Sequence, residues 1–152
     1  MIVYRLAQTL NANDRSGEGA RLNGGRWNHV YIPCIYCAES RALSVLEYTV
    51  NVNIAVIPRA LSITTFEIPD TEILEFAESS LPGNWKESPA PSSTKDFGTT
   101  LLKAAEYPVI KIPSCVIPDE FNFLLNPLHP GNKKFNILEV KDFIYDVRIK
   151  LK

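Results

Sequence analysis

The sequence predicts an α+β fold in a single domain spanning residues 1–152. Three observations carry this. The length of 152 residues fits one domain, since domains run to about 100–200 residues. Apolar, β-prone runs recur at 2–8, 34–38, 60–68, 108–112 and 135–147. A helical period appears in only two main places, about 39–50 and 93–106, and does not alternate regularly with the strands, which separates this chain from the βαβ classes.

The first run, IVYRLAQ, places Arg5 on the strand face of Val3 and Ala7. Residues 9–29 are rich in Asn, Gly and Arg without a sustained period; a loop so long is usually functional or disordered. CIYCA at 34–38 reads as a short strand whose pairing Pro33 limits at the start. From Glu39 to Val50 the period turns helical: Leu43, Leu46, Glu47 and Val50 fall at i, i+3, i+4 and i+7.

Residues 60–68 alternate like a strand, and a segment with Pro82, Gly83, Pro89 and Pro91 reads as loop. Ser93 and Asp96 have the spacing of a capping box, opening a helix to about Glu106. Strands follow at 108–112 and, interrupted, at 135–147. Between them Pro113 to Gly131, dense in Pro and Asn, reads as connection.

Composition excludes several classes. With 45% hydrophobic and 22% charged residues the chain is neither disordered nor collagen-like nor coiled coil. A net charge of −1 offers no basic stripe for direct nucleic-acid binding. Apolar runs fall short of the ~20 residues that span a bilayer. Three cysteines cannot all pair, and Met1 to Arg5 does not open a signal peptide. A reducing cytoplasm is the expected setting.

No metal site is expected. Cys34-x-x-Cys37 is half a zinc pattern, but on a strand i and i+3 point to opposite faces, and adding His29, His129 or Cys115 would require a convergence that nothing in the sequence predicts. The chain also lacks a P-loop, a Rossmann fingerprint and a G-x-S-x-G elbow.

Some residues sit where ordinary packing explains them poorly. Glu47 lies on an apolar helix stripe, where an unpaired carboxylate must find donors or take a proton. Either it partners a buried arginine, or the helix is rotated so that Glu47 snorkels, or it serves chemistry. Arg5 inside a strand calls for an anion, or lies over apolar surface with its head in water. Arg26 in Gly24-Gly25-Arg26-Trp27-Asn28 stands beside glycines that permit close backbone approach to a phosphate. Tyr36 offers a ring face and a hydroxyl, or simply core. Ser114, Asn122 and Asn126 lie among prolines, where such residues commonly serve turns.

Taken in order, these pieces resemble the RES-domain family of bacterial toxins. The likeness runs nearly end to end: Tyr4-Arg5; Ser16-Gly17-Glu18-Gly19-Ala20-Arg21 leading into Gly24-Gly25-Arg26-Trp27-Asn28; Ile35-Tyr36-Cys37-Ala38-Glu39-Ser40; Glu47 in the next helix; Pro113-Ser114, then Asn122 and Asn126-Pro127.

The resemblance implies a fold related to ADP-ribosyltransferases, with a split, twisted β core and a cleft for NAD. It implies a toxin that cleaves the nicotinamide–ribose bond by hydrolysis or phosphorolysis, with NAD as substrate and no resident cofactor. The alternatives are ADP-ribosylation of a specific protein and a catalytically silent antitoxin-binding domain. Its partner would be an antitoxin of the Xre helix-turn-helix type that blocks the cleft and makes any DNA contact itself.

Arg5, Arg26, Tyr36 and Glu47 match the family's active-site positions, Ser114 its serine, and Asn122 is added to them. On that basis Arg5 and Arg26 are expected to grip the pyrophosphate or the ribose–phosphate end of NAD, and Tyr36 to stack against or orient the nicotinamide side. Ser114 is expected to bond the ribose or amide, and Glu47 to accept a ribose hydroxyl and stabilise the developing cation. The resemblance assigns no role to the segment around 79–93.

Overall fold

In the computed structural model, which describes residues 1–150, alternation along β1 (Ile2–Gln8) buries Val3 on one face of a sheet and Leu6 on the other. The remaining elements are α1 (Glu18–Asn23), β2 (Ile35–Ala38), α2 (Arg41–Asn51), β3 (Leu61–Glu67), β4 (Ile73–Glu75), α3 (Ser92–Ala104), β5 (Val109–Pro113), β6 (Phe121–Leu125) and β7 (Asn136–Phe143). The strands form one seven-stranded sheet in the order β4-β5-β6-β2-β1-β3-β7. Only β4 and β5 run parallel. The α+β reading holds, with α2 and α3 as the two main helices.

The sheet is split in the middle. β1 pairs with β3 from Ile2↔Glu67 to Gln8↔Leu61, whereas β1 and β2 share the single register pair Tyr4↔Ala38. One face is covered around Val3, Cys37, Phe66, Phe123 and Phe135. On the other, α3 and the Trp27 loop cover Ile110, Ile112 and Leu124, while α2 covers Leu6, Leu61 and Ile63 through Val45. Cys34 and Cys37 belong to clusters on opposite faces.

Several elements depart from expectation. In α2 the buried residues are Leu43, Ser44, Val45 and Thr49, while Val50 is 57% exposed. The contact with Leu6 and Ile63 selects a face centred on Val45, so Glu47 stands half-buried at its border. Ser40 caps this helix, its Oγ accepting from Leu43 N at 3.0 Å. The capping box at Ser93 does not form. The helix starts at Ser92 behind Pro91, and Ser93 Oγ instead donates to Asn84 Oδ1 at 2.5 Å.

The 9–29 segment contains α1, too short for its period to register, entered through Gly17 at φ 71°. There Asp14 accepts from the backbone N–H of Ser16, Gly17 and Glu18. β6, read as connection, is a central strand between β2 and β5. The three-residue β4 also escaped the pattern, and the last strand stops at Phe143. Among the described residues no helix is long and apolar enough to cross a membrane.

Candidate active site

The functional candidates converge where α2, the end of β5 and β6 meet beside the split. Ser114 follows β5 directly and is 3% exposed. Its Oγ accepts from Val116 N at 3.0 Å and Ile117 N at 3.2 Å. With its lone pairs so occupied, its single proton goes to Glu47 Oε1 at 2.7 Å. Asn122 of β6 donates from Nδ2 to the same oxygen, also at 2.7 Å.

Oε1 of Glu47 is thus fixed by two donors, and among the described residues Oε2 accepts none. The Asn122 Oδ1 is buried without a partner, which marks a site with unused hydrogen-bonding capacity.

A second group lies where the glycine-rich loop meets β2. Tyr36 OH accepts from Trp27 N at 3.0 Å and donates to Asn28 Oδ1 at 2.6 Å. Burial holds this phenol well above its ordinary value, against the opposing effects of the Trp27 N–H and the Arg26 charge. It therefore stays a neutral donor. Gly25 is required here, because a Cβ would meet Tyr36 OH at 2.7 Å. Asn28 is fully buried and donates to Ala20 O and Ile32 O at 2.8 and 2.9 Å.

Arg26 Nη1 donates to Trp85 O at 2.8 Å and Glu87 O at 2.7 Å. The proline-rich segment thereby gains a place: Arg26 clamps it, and Trp85 packs against Trp27 with ring centroids 6.4 Å apart. Cys115, half-buried, follows Ser114 directly and feels the charges of both groups. Its thiol is pushed up by burial and by the Glu47 charge, and drawn down by Arg26.

Arg5 stands apart from these residues, on the opposite face of β1. It stacks 5.1 Å from the Phe66 ring centroid, and Nη2 donates to Asn11 O, Ala12 O and Asp14 O at 3.2, 3.1 and 3.0 Å. Burial lowers its pKa, opposed by Cys37 and Asp14, and its Nε is buried without a partner.

The structure thus joins Glu47, Ser114 and Asn122 in direct contact, sets Arg26 in the glycine-rich loop that Tyr36 of β2 bonds through Trp27 N and Asn28 Oδ1, and places Arg5 elsewhere. Asn126, noted in the sequence, is structural: it is buried and donates to Leu102 O at 3.0 Å.

Sequence reasoning missed Asn28, which a glycine-rich context disguises as a turn residue, and Cys115, whose only signal was adjacency to Ser114. Hollows of about 570 Å3 beside Asn13–Ser16 and about 460 Å3 beside Glu75–Glu78 involve neither Glu47 nor Arg26. Among the described residues, no cluster of three or more His, Cys, Asp or Glu side chains could hold a metal ion.

The family model of the RES domain matches residues 2–146. The chain belongs to the RES-domain family.

Among relatives of this RES domain, the Prs ADP-ribosylating toxin of Sphingobium sp. (strain YBL2) is 37% identical over 147 residues, covering 94% of this chain and 91% of that protein. Toxin Res of Yersinia enterocolitica is 33% identical over 152 residues, covering 99% and 100%. A chain in the crystal structure of the M. tuberculosis MbcT–MbcA toxin–antitoxin complex superposes with a TM-score of 0.76 at 19% identity, covering 94% of this RES domain and 84% of that chain. That likeness establishes the shared fold.

Proposed function

We propose that this RES domain is the toxin of a toxin–antitoxin pair and that it consumes NAD by cleaving the nicotinamide–ribose bond. The observation that carries this reading is the Glu47 carboxylate, fixed through one oxygen by Ser114 and Asn122 with the other oxygen uncommitted.

Cleavage sends the C–N bonding electrons to nicotinamide, which leaves neutral, and the ribose carbon becomes oxocarbenium-like. A fixed carboxylate beside that carbon favours the developing cation, as in glycoside hydrolysis. It needs no reorganisation as charge develops. Water then bonds to the ribose carbon and loses a proton; with phosphate as acceptor the product is ADP-ribose-1″-phosphate.

Arg26 supplies the cation for the pyrophosphate, since its nitrogens other than Nη1 hold no carbonyl among the described residues. Tyr36 shapes the loop on which Arg26 stands. Arg5, with Nη2 committed to three carbonyls, acts as a positioning residue for the 11–14 turn. NAD is substrate here, and no resident cofactor is invoked.

A second reading is transfer of ADP-ribose to a protein side chain, favoured by the name of the 37% identical relative. The same residues serve both reactions, because only the acceptor differs. The expected partner is an Xre-type antitoxin whose inserted segment brings a carboxylate or chain terminus to Arg26; reduced antitoxin affinity of Arg26→Ala checks this.

The deciding experiment measures nicotinamide release from NAD by the purified chain, with and without phosphate, product masses recorded. Glu47→Gln should lower the rate by about 10²–10³-fold with an unchanged melting curve. A near-normal rate in that variant overturns the role of Glu47. Labelling of a lysate protein from NAD, in place of free product, establishes the transferase reading.

A further inference from the structure

β7 pairs with β3 along one edge, and among the described residues no backbone bond from another segment reaches its outer edge. This leaves eight residues of unpaired strand, the template that sheet proteins normally cover or blunt. Apolar side chains gather beside it: Leu138 is 54% exposed, Ile144 93% and Val147 51%. Glu139 and Lys141 are both exposed, and neither forms an ion pair among the described residues.

We propose that β7 is the docking edge for a second copy of this chain, the two strands pairing antiparallel about a two-fold axis at Val140 so that one sheet continues through both copies. A two-fold normal to the sheet keeps each face on its own side, so opposed residues must come from the same face. With Val140 opposite its own copy, Glu139 of each chain lies opposite Lys141 of the other, and both charges are answered twice.

Moving the axis one residue either way sets Glu139 against Glu139 or Lys141 against Lys141. Opposite charges across a strand pair stabilise it and like charges destabilise it. The sequence Glu139-Val140-Lys141 is therefore self-complementary in one register, the property an isologous interface requires. Glu139, Val140 and Lys141 pair regularly with Thr65, Thr64 and Ile63, and the irregularity begins directly beside them, at Leu138, between Thr65↔Glu139 and Phe66↔Ile137. Leu138 adjoins Glu139 and Ile144 follows the end of the strand, both exposed, so association also removes apolar surface from water.

The test is molar mass by sedimentation velocity from about 1 μM to about 1 mM, the range in which a small interface declares itself. The chain should pass from monomer to dimer. Glu139→Lys alone and Lys141→Glu alone should each abolish the dimer, and the double exchange should restore it, because the opposed pair is then Lys with Glu again. Circular dichroism identical across the four proteins removes misfolding as an explanation. A wild type monomeric throughout overturns the proposal; so does a dimer indifferent to the single exchanges, or a double exchange that stays monomeric.

Discussion

Ser114 gives its only hydroxyl proton to Glu47 at 2.7 Å across 67 residues of chain. Two backbone N–H groups entering the same oxygen leave that proton no other direction. The carboxylate is thereby tied to the end of β5, on the far side of the split from β1. Asn122 adds a second tie from β6. Replacing Ser114 with Ala should loosen Glu47 without removing its charge, lowering kcat for NAD by about 10²-fold through misplacement while leaving KM nearly unchanged. The melt should show a loss of about 1–3 kcal/mol for the amides left without an acceptor. Equal kcat in variant and wild type would sink the positioning role.

Arg26 is expected to govern the 85–91 segment as well as the site. Without the bonds to Trp85 O and Glu87 O, an Arg26→Ala chain should be cut by chymotrypsin at Trp85 at protease levels that spare the wild type. Arg26→Lys should fall between, since an ammonium lacks the guanidinium fork. Identical digestion patterns in all three would refute the clamp.

Gly98→Ala improves helix propensity by about 0.8–1.0 kcal/mol yet should destabilise the protein. A Cβ there would stand 1.9 Å from Trp27 O, so α3 must move off the loop at a cost of about 1–3 kcal/mol. Urea denaturation reads the net sign, and a stabilised variant contradicts the close approach.

Acid should weaken the 14–18 turn. Burial of Asp14 raises its pKa, but the Ser16 side chain, the N–H groups of Ser16 and Glu18 and the charge of Arg5 together hold it below its ordinary 3.8. A depressed folded pKa gives stability that is complete above the unfolded value and fades as pH falls through the folded one. Between pH 7 and about 4 this contribution should be constant, declining below. Asp14→Asn should be less stable at pH 7, with the difference shrinking below about pH 4; a difference that stays constant on acidification below that pH counts against the linkage.

Thiol labelling should distinguish the three cysteines. Burial pushes Cys37 up to about 12 and Cys34 well above its usual value, and both are 3% exposed or less. Cys115 is half-buried and raised less. Iodoacetamide at mild alkaline pH should modify Cys115 first and the others only on unfolding, as intact mass and peptide mapping would show. Early modification of Cys37 contradicts the packing.

Much of this was legible in the sequence. Alternation in 2–8 and 60–68 marked β1 and β3 because each face meets a different environment. The stripe around Glu47 marked a carboxylate near apolar surface, although its fourth member, Val50, faces solvent. A four-residue template fits two neighbouring helix faces, and only the opposing Leu6 and Ile63 choose between them. β6 was hidden because it is buried on both sides and carries no alternation, and its proline- and asparagine-rich flanks suggested loop. The separation of Arg5 from Glu47 was present in the parity of β1, which put Arg5 with Val3. Parity alone did not say on which face α2 would lie.

The seam between β1 and β2 gives the molecule an anisotropic stiffness. Each half of the sheet is laced by a long ladder, but a single opposed pair, Tyr4 with Ala38, bridges the halves. Among the strand pairs of the sheet, this one therefore parts at the least cost in backbone pairing. The contacts that span it, Glu47 to Ser114 and Asn122 among them, act as rivets. An occupant touching both sides would gain mechanical leverage that no single face of the sheet could provide.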